Sequence, residues 1–230
     1  MSKVVPVLTI DGPSGTGKGT LCQLLASELG WNLLDSGALY RVLAIAAKHH
    51  AVSLDNEAVL EVLAAHLDVQ FLSSQVFKSS VIILEGENVT DLIRSQTCGD
   101  NASIIAQLPK VRAALLERQR GFAEMPGLVT DGRDMGTVVF SDAFMKIYLD
   151  ASIEMRAKRR HLQLKDKGIN VSLAQVLEEL QYRDLRDKTR KTAPLQAAKD
   201  AITIDTTNMN VEQVFEVVLS KVQAHFLASV

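Results

Sequence analysis

Cysteine is scarce: two residues in 230 leave no room for a disulfide framework or a thiolate metal site. Cys22 and Cys98 lie far apart, without metal-ligand spacing, a usage that suits a reducing compartment. Neither is assigned a function. Charge of one sign is lacking too, since 25 Lys and Arg stand against 27 Asp and Glu for a net charge of −2. That balance argues against a nucleic-acid polymer or an acidic membrane as partner, and leaves small phosphates open. No apolar run is long enough to span a bilayer, and the first, Val4 to Ile10, is too short for a signal sequence and ends in glycines. A soluble, cytoplasmic protein is expected. Repeats and low-complexity tracts are absent. The five histidines are scattered, and no Cys-His or Ser-His pair suggests a covalent nucleophile.

What the chain does have is concentrated near its start. Val4, Val5, Val7, Leu8 and Ile10 read as a short buried strand, and Leu21, Leu24, Leu25 and Leu29 recur at helical spacing. Between them runs Gly12-Pro13-Ser14-Gly15-Thr16-Gly17-Lys18-Gly19-Thr20. Strand, glycine loop and helix in this order form a cradle for a nucleotide polyphosphate: backbone N–H groups turn inward, the helix N-terminus adds partial positive charge and Lys18 adds a full one. The common form of this motif has Ser or Thr directly after Lys, whereas here Gly19 intervenes before Thr20, an ending seen in nucleoside-monophosphate kinases.

The remaining pattern alternates strands and helices, which predicts a parallel α/β sheet. Gly30 is a candidate C-cap, Trp31 to Leu34 a second strand, and Ala38 to Ala47 an apolar helix. Arg41 in that helix is either a solvated edge residue or a phosphate ligand. His49-His50 reads as its polar end, and Ser53 or Asp55 as the cap of the next helix. From Asp68 to Thr90, the short runs Val69-Gln70-Phe71, Gln75-Val76-Phe77 and Val81 to Leu84, separated by Ser pairs and by Glu85-Gly86-Glu87-Asn88, predict a small antiparallel insert. Helical character returns from Leu92, and Pro109 suits the first turn of another helix. Leu128 to Asp131 reads as a central strand presenting Asp131-Gly132-Arg133-Asp134 at its C-terminal end, where ligands bind open parallel sheets. A strand from Met145 to Leu149 follows, then a charged helical hairpin with a capping box at Ser172 and Gln175, a strand at Ala201 to Ile204 and a helix opened by Asn210. The organisation expected is one α/β domain over residues 1–230, with a β insert over 67–92 and a helical hairpin region over 156–190.

Phosphoryl transfer needs two phosphates aligned and their charge neutralised, so arginines are the expected tools. Arg183, Arg186, Asp187 and Arg190 fall along one helical face, and a hairpin carrying them can close as a lid, with Arg156 and Arg160 as further members. Asp35, Asp131 and Asp150, at predicted strand ends, are each open as a partner for the water of a bound Mg²⁺, with Asp131 the closest in context; Asp150 serves equally as a helix N-terminal charge. The metal ligands are therefore left unassigned. A regulatory GTP switch should carry Asn-Lys-x-Asp, and a remodelling ATPase Asp-Glu at a strand end; neither is present.

The blocks Ile10 to Thr20, Leu34-Asp35-Ser36-Gly37-Ala38-Leu39-Tyr40-Arg41, Asp131-Gly132-Arg133-Asp134-Met135-Gly136-Thr137 and Arg183-Asp184-Leu185-Arg186-Asp187 together closely resemble the bacterial cytidylate kinases. The resemblance spans nearly the whole chain. It implies a single P-loop kinase domain with a three-layer core, the 67–92 β insert and a short helical lid over 156–190, and transfer of the γ-phosphate of ATP, with Mg²⁺, to CMP or dCMP. By the same resemblance, residues Gly12 to Thr20 hold the donor, and Lys18, Arg133, Arg183 and Arg190 are catalytic. Arg41, Arg133 and Arg190 would meet phosphates, and Ser36 would lie in the acceptor site. Ser103, Arg112 and Asp134 would meet the cytosine, and Arg183 with Asp187 the acceptor's sugar and phosphate. The rival is a P-loop kinase for another small acceptor, UMP or a hydroxy acid. A monomer acting on small molecules is expected.

Overall fold

The computed structural model describes residues 4–73 and 80–228. In chain order the elements begin with β1 (Val7–Asp11), α1 (Lys18–Leu29) and β2 (Asn32–Asp35). There follow α2 (Ser36–His49), α3 (Glu57–Ala65), β3 (Val69–Ser73), β4 (Ser80–Leu84), β5 (Glu87–Asn88), α4 (Gln96–Ile105) and α5 (Pro109–Arg120). The last stretch holds β6 (Leu128–Gly132), β7 (Met145–Asp150), α6 (Ile153–Asp166), α7 (Leu173–Thr189), β8 (Ile202–Asp205) and α8 (Val211–Ala228). They form two compact units, one of Met1–Asp35 with Arg120–Val230 and one of Ser36–Gln119.

The first unit is built on a parallel five-stranded sheet in the order β2-β6-β1-β7-β8. β1 is buried at all five positions because it is the middle strand. Its register pairs Asp11 with Gly132 on one side and with Tyr148 on the other. The C-terminal ends of β1, β6 and β7 therefore coincide, and the glycine loop leaves from the centre of that edge. Leu21, Cys22 and Leu25 of α1 pack with Leu8, Ile10, Ile147 and Leu149 of the sheet and with Val214, Val218 and Val222 of α8. The Gly30 cap has φ 64°, left-handed as expected. The capping box of Ser172 and Gln175 forms, and Asn210 and Gln213 cap α8 reciprocally. α6 and α7 share a small core of Ala157, Leu164, Val176 and Leu180, so the charged hairpin is held by its own apolar seam.

The second unit has its core around α2, with Leu43, Ala47, Leu60, Leu84, Ile105 and Leu115 fully buried. The antiparallel insert is present as β3-β4-β5, with Phe71 opposite Ile82 and Leu84 opposite Glu87. Glu85-Gly86-Glu87-Asn88, read as a separator, divides in two. Glu85 and Gly86 both have positive φ, 51° and 84°, which makes a tight hairpin turn whose twist lets Glu87-Asn88 pair back as a third strand. The expected run Gln75-Val76-Phe77 lies outside the described residues. The cap of α3 is neither Ser53 nor Asp55 but Asn56, which directly precedes the helix and accepts from the Val59 N–H. His49 and His50 do end α2, and the His50 Nε2 lies 2.7 Å from Glu85 Oε1. Among the described residues no helix is long and apolar enough to cross a membrane.

Candidate active site

The first half of the glycine loop is shaped by contacts at Gly12 and Gly15 that leave no room for side chains. Gly12 has φ 147°, and a Cβ there would lie 2.1 Å from the carbonyl oxygen of Leu149 in β7. The loop therefore starts pressed against the neighbouring strand. Gly17, at φ 92°, is the N-cap of α1 and brings no side-chain cap, so the first N–H groups of that helix have no side chain to satisfy them. Thr16 Oγ1 and Lys18 Nζ both donate to the Pro13 carbonyl, at 3.1 and 2.7 Å, which folds the lysine back over the loop. Lys18 is buried. Burial pushes its ammonium down and the neighbouring Arg133 pushes the same way, while Asp131 and Asp11 partly offset them. A polyphosphate placed on this loop would remove the conflict by supplying negative charge.

The sheet edge beside the loop is rich in carboxylate. Asp131 pairs in register with Asp35, and its Oδ1 is buried with no hydrogen-bond partner among the described residues. Burial, reinforced by Asp35, raises its carboxyl, against the pull of Lys18 and Arg133. No cluster of three or more His, Cys, Asp or Glu able to hold a metal occurs among the described residues. An unsatisfied carboxylate next to an anion cradle still fits Mg²⁺, which is held by one or two carboxylates, phosphate oxygens and waters. Asp150 accepts from the Ala151 N–H at 2.9 Å, one residue before Ser152, the N-cap of α6.

Immediately after β6 the chain forms a π-helical turn, Met135–Val139, which the apolar pattern did not announce. Its entry is fixed by Asp11, whose two carboxylate oxygens accept from the Met135 and Gly136 N–H groups at 2.9 and 2.8 Å. Between that anchor and β6 stand Arg133 and Asp134, and both reach across to the hairpin. Arg133 donates to Asp187 Oδ2 at 2.7 Å, to Ser14 Oγ at 2.7 Å and to the Gly132 carbonyl at 3.1 Å. Asp187 in turn is the main group raising the Arg133 guanidinium against its burial. Asp134 accepts from Arg190 at 3.3 Å, and Arg190 is further held by the Ala193 carbonyl at 2.6 Å. Arg183 sits half-buried on α7. Of the two further arginines offered for the lid, Arg156 is buried, and Arg160 donates to Gln163 Oε1 at 2.8 Å.

On the other side of the glycine loop lies a cavity of about 270 Å³ lined by Thr16, Thr20, Leu149, Arg159, Met209 and Val211 among others. Arg159 is immobilised there by the Thr206 hydroxyl at 3.2 Å and the Thr206 and Met209 carbonyls at 2.5 and 3.1 Å. Apolar walls with one fixed guanidinium suit a planar base.

The second unit carries the other expected residues. Ser36 Oγ accepts from Gln119 Nε2 at 3.1 Å, and Arg41 donates to the Ile93 carbonyl at 2.6 Å. Arg112 is buried, donates to the Ala106 carbonyl at 3.2 Å and lies 5.8 Å over the Tyr40 ring. Ser103 Oγ is buried and has no hydrogen-bond partner among the described residues.

A sequence model described as cytidylate kinase matches residues 8–224. The chain belongs to the cytidylate kinase family. A cytidylate kinase of Stutzerimonas stutzeri is 59% identical over 228 residues, covering 99% of this chain and 100% of its own. One from Pseudomonas aeruginosa is 60% identical over 219 residues, covering 95% and 96%. Among solved structures, an uncharacterized protein from Eubacterium ventriosum matches with a TM-score of 0.51 at 12% identity, covering 96% of this chain and 99% of that one, which supports the fold alone.

Of the expected site residues, Gly12 to Thr20, Arg133, Asp134, Arg183, Asp187 and Arg190 lie in the first unit, and Ser36, Arg41, Ser103 and Arg112 in the second. Asp11, Asp184 and the Arg159 contacts were not singled out as functional from the sequence. Asp11 had a usable signal, a carboxylate closing a strand of mostly apolar residues, which needs buried donors to be tolerated.

Proposed function

We propose that this chain transfers the γ-phosphate of ATP to CMP or dCMP, giving ADP with CDP or dCDP. The observation that carries this reading is Lys18 folded over a side-chain-excluding glycine loop at the head of α1, within a match to the family over residues 8–224. Gly12 to Thr20 hold the donor phosphates, and the cavity beside Arg159 takes the donor base. Lys18, Arg133, Arg183 and Arg190 neutralise the charge that spreads over the transferring phosphoryl group. Their partners Asp187 and Asp134 fix the guanidinium planes before substrate arrives, so little reorganisation is left for the reaction. Asp131, with Asp35 beside it, would hold Mg²⁺ through water, and the ion would supply positive charge to the donor phosphates. Arg41 and Ser36 receive the acceptor, Ser103, Arg112 and Asp134 read the cytosine, and Arg183 and Asp187 meet the sugar and phosphate. Residues 1–230 act as one kinase domain in which 67–92 is an insert and 156–190 a lid that excludes water.

The test is ADP formation from ATP and Mg²⁺ with CMP, dCMP, UMP, AMP, GMP and shikimate in parallel, for the wild type and for Lys18→Ala. CMP and dCMP should be the fast acceptors, and Lys18→Ala should lower kcat by about 100-fold or more while CMP binding persists. A faster rate with any other acceptor would replace the acceptor assignment, and near-normal turnover in the variant would remove the cradle from the mechanism.

A further inference from the structure

The basic residues of the hairpin do not all face a ligand, and Arg156 is the clearest exception. It is 4% exposed, and its guanidinium is spent on protein at three points: Nε on the Ala151 carbonyl at 3.0 Å, one terminal nitrogen on the Ser14 carbonyl at 3.1 Å, the other on Asp184 Oδ2 at 2.6 Å. Ala151 is the lead-in to α6, Ser14 is the middle of the glycine loop, and Asp184 is on α7. One side chain thus joins three segments. The loop also lies directly on the first turn of α6, since a Cβ on Gly15 would be 3.0 Å from Arg156 Cβ and 3.2 Å from the Arg156 carbonyl oxygen.

Two features speak against a role in stability alone. Asp184 is 7% exposed, yet its Oδ1 is buried with no hydrogen-bond partner among the described residues. A buried ion pair with one oxygen unsatisfied adds little net stability, because desolvation consumes what the attraction provides. The second feature is that Ser14 is gripped twice from the same helix. Its carbonyl is reached through Arg156 from Asp184, and its hydroxyl through Arg133 from Asp187, one helical turn along α7. The loop's backbone position and the position of α7 are therefore linked through two polar atoms of one residue, the Ser14 carbonyl and hydroxyl oxygens.

We propose that Arg156 and Asp184 are a positioning pair that sets the register of α7, with Arg183, Asp187 and Arg190, against the phosphate-holding loop. Neither touches substrate. The proposal rests on the kinase reading given above, in which the loop carries the donor and α7 carries groups for the acceptor and the transferred phosphoryl. Phosphoryl transfer is sensitive to misalignment of about 1 Å, so the loss of the pair appears in the chemical step more than in either binding step.

The test uses three variants of the full chain, Arg156→Lys, Arg156→Gln and Asp184→Asn, with the double variant Arg156→Gln/Asp184→Asn. Arg156→Lys keeps the buried charge for Asp184 but cannot also reach Ser14 and Ala151, so it separates the tie from the ion pair. Below the unfolding temperature of each protein, kcat with CMP should fall by about tenfold or more, with KM for ATP and for CMP each within about threefold of wild type. The double variant should lose no more than the worse single variant, because the two side chains act as one unit. A merely structural pair would lower Tm and leave kcat within twofold, and singles whose losses multiply in the double variant would show two independent roles; either result overturns the proposal. If Asp184→Asn does not fold, the kcat of Arg156→Lys decides alone. Failure of the kinase reading would show separately, as absent CMP-dependent ADP formation in the wild type.

Discussion

Replacing Asp11 by Asn and following stability from pH 4 to pH 8 sets two effects against each other at one buried residue. The carboxylate accepts two N–H bonds, from Met135 and Gly136, and these favour its charged form. Burial favours the neutral form, and here it wins: Asp11 is 4% exposed, and its carboxyl is raised from 3.8 to about 6, with burial outweighing both bonds. A group whose folded pKa lies above its unfolded one contributes stability that is complete below the unfolded value and lost as pH rises through the folded value. Between pH 3.8 and about 6 the wild type should therefore lose about 3 kcal/mol relative to a non-titrating side chain. In a chain of this length that corresponds to roughly 6–12 °C in Tm. Urea unfolding or calorimetry of both proteins at matched pH gives the difference, and subtracting the Asp11→Asn curve cancels carboxylates that do not sense Asp11. The wild type's advantage over the variant should shrink as pH rises across this window and then level off. An advantage that grows with pH would refute the reasoning, because it would place the folded pKa below 3.8 and make the two N–H bonds the stronger effect.

Two further outcomes are expected. Gly12→Ala should destabilise the chain by about 4 kcal/mol or more, seen as a Tm lower by about 10 °C, because its Cβ would sit 2.1 Å from the Leu149 carbonyl oxygen and β7 would have to move; an unchanged Tm would mean the loop leaves the strand edge freely. Asp134→Asn should lower the ratio of kcat/KM for CMP over UMP by about tenfold, since an amide can donate to the uracil O4 where a carboxylate only accepts. If CMP and UMP activities fall together, Asp134 serves only to hold Arg190, with which it pairs at 3.3 Å.

The cradle was readable from residues alone because its physics is local. Four glycines in eight residues, a Lys at a helix start and an apolar strand before them leave few alternatives, and backbone sterics impose the rest. The same holds for the caps at Gly30, Ser172 and Asn210, where one or two side chains within a turn decide the geometry. Where several neighbouring groups compete, as with Ser53, Asp55 and Asn56, reading by residue type selected the wrong one, since only the chain path shows which side chain reaches the helix N–H. Parallel strand order was beyond the sequence: nothing in β1 says that β6 and β7 flank it, yet that order brings Asp11 to the N–H groups of residues 135 and 136. Partner choice among the arginines was likewise a tertiary matter. Arg133, Arg156 and Arg190 look alike as basic positions, but Asp187, Asp184 and Asp134 lie 28 to 56 residues away in the chain. An ion pair forms where desolvation has already been met by packing, and packing is settled by the whole sheet and its hairpin rather than by any segment of sequence.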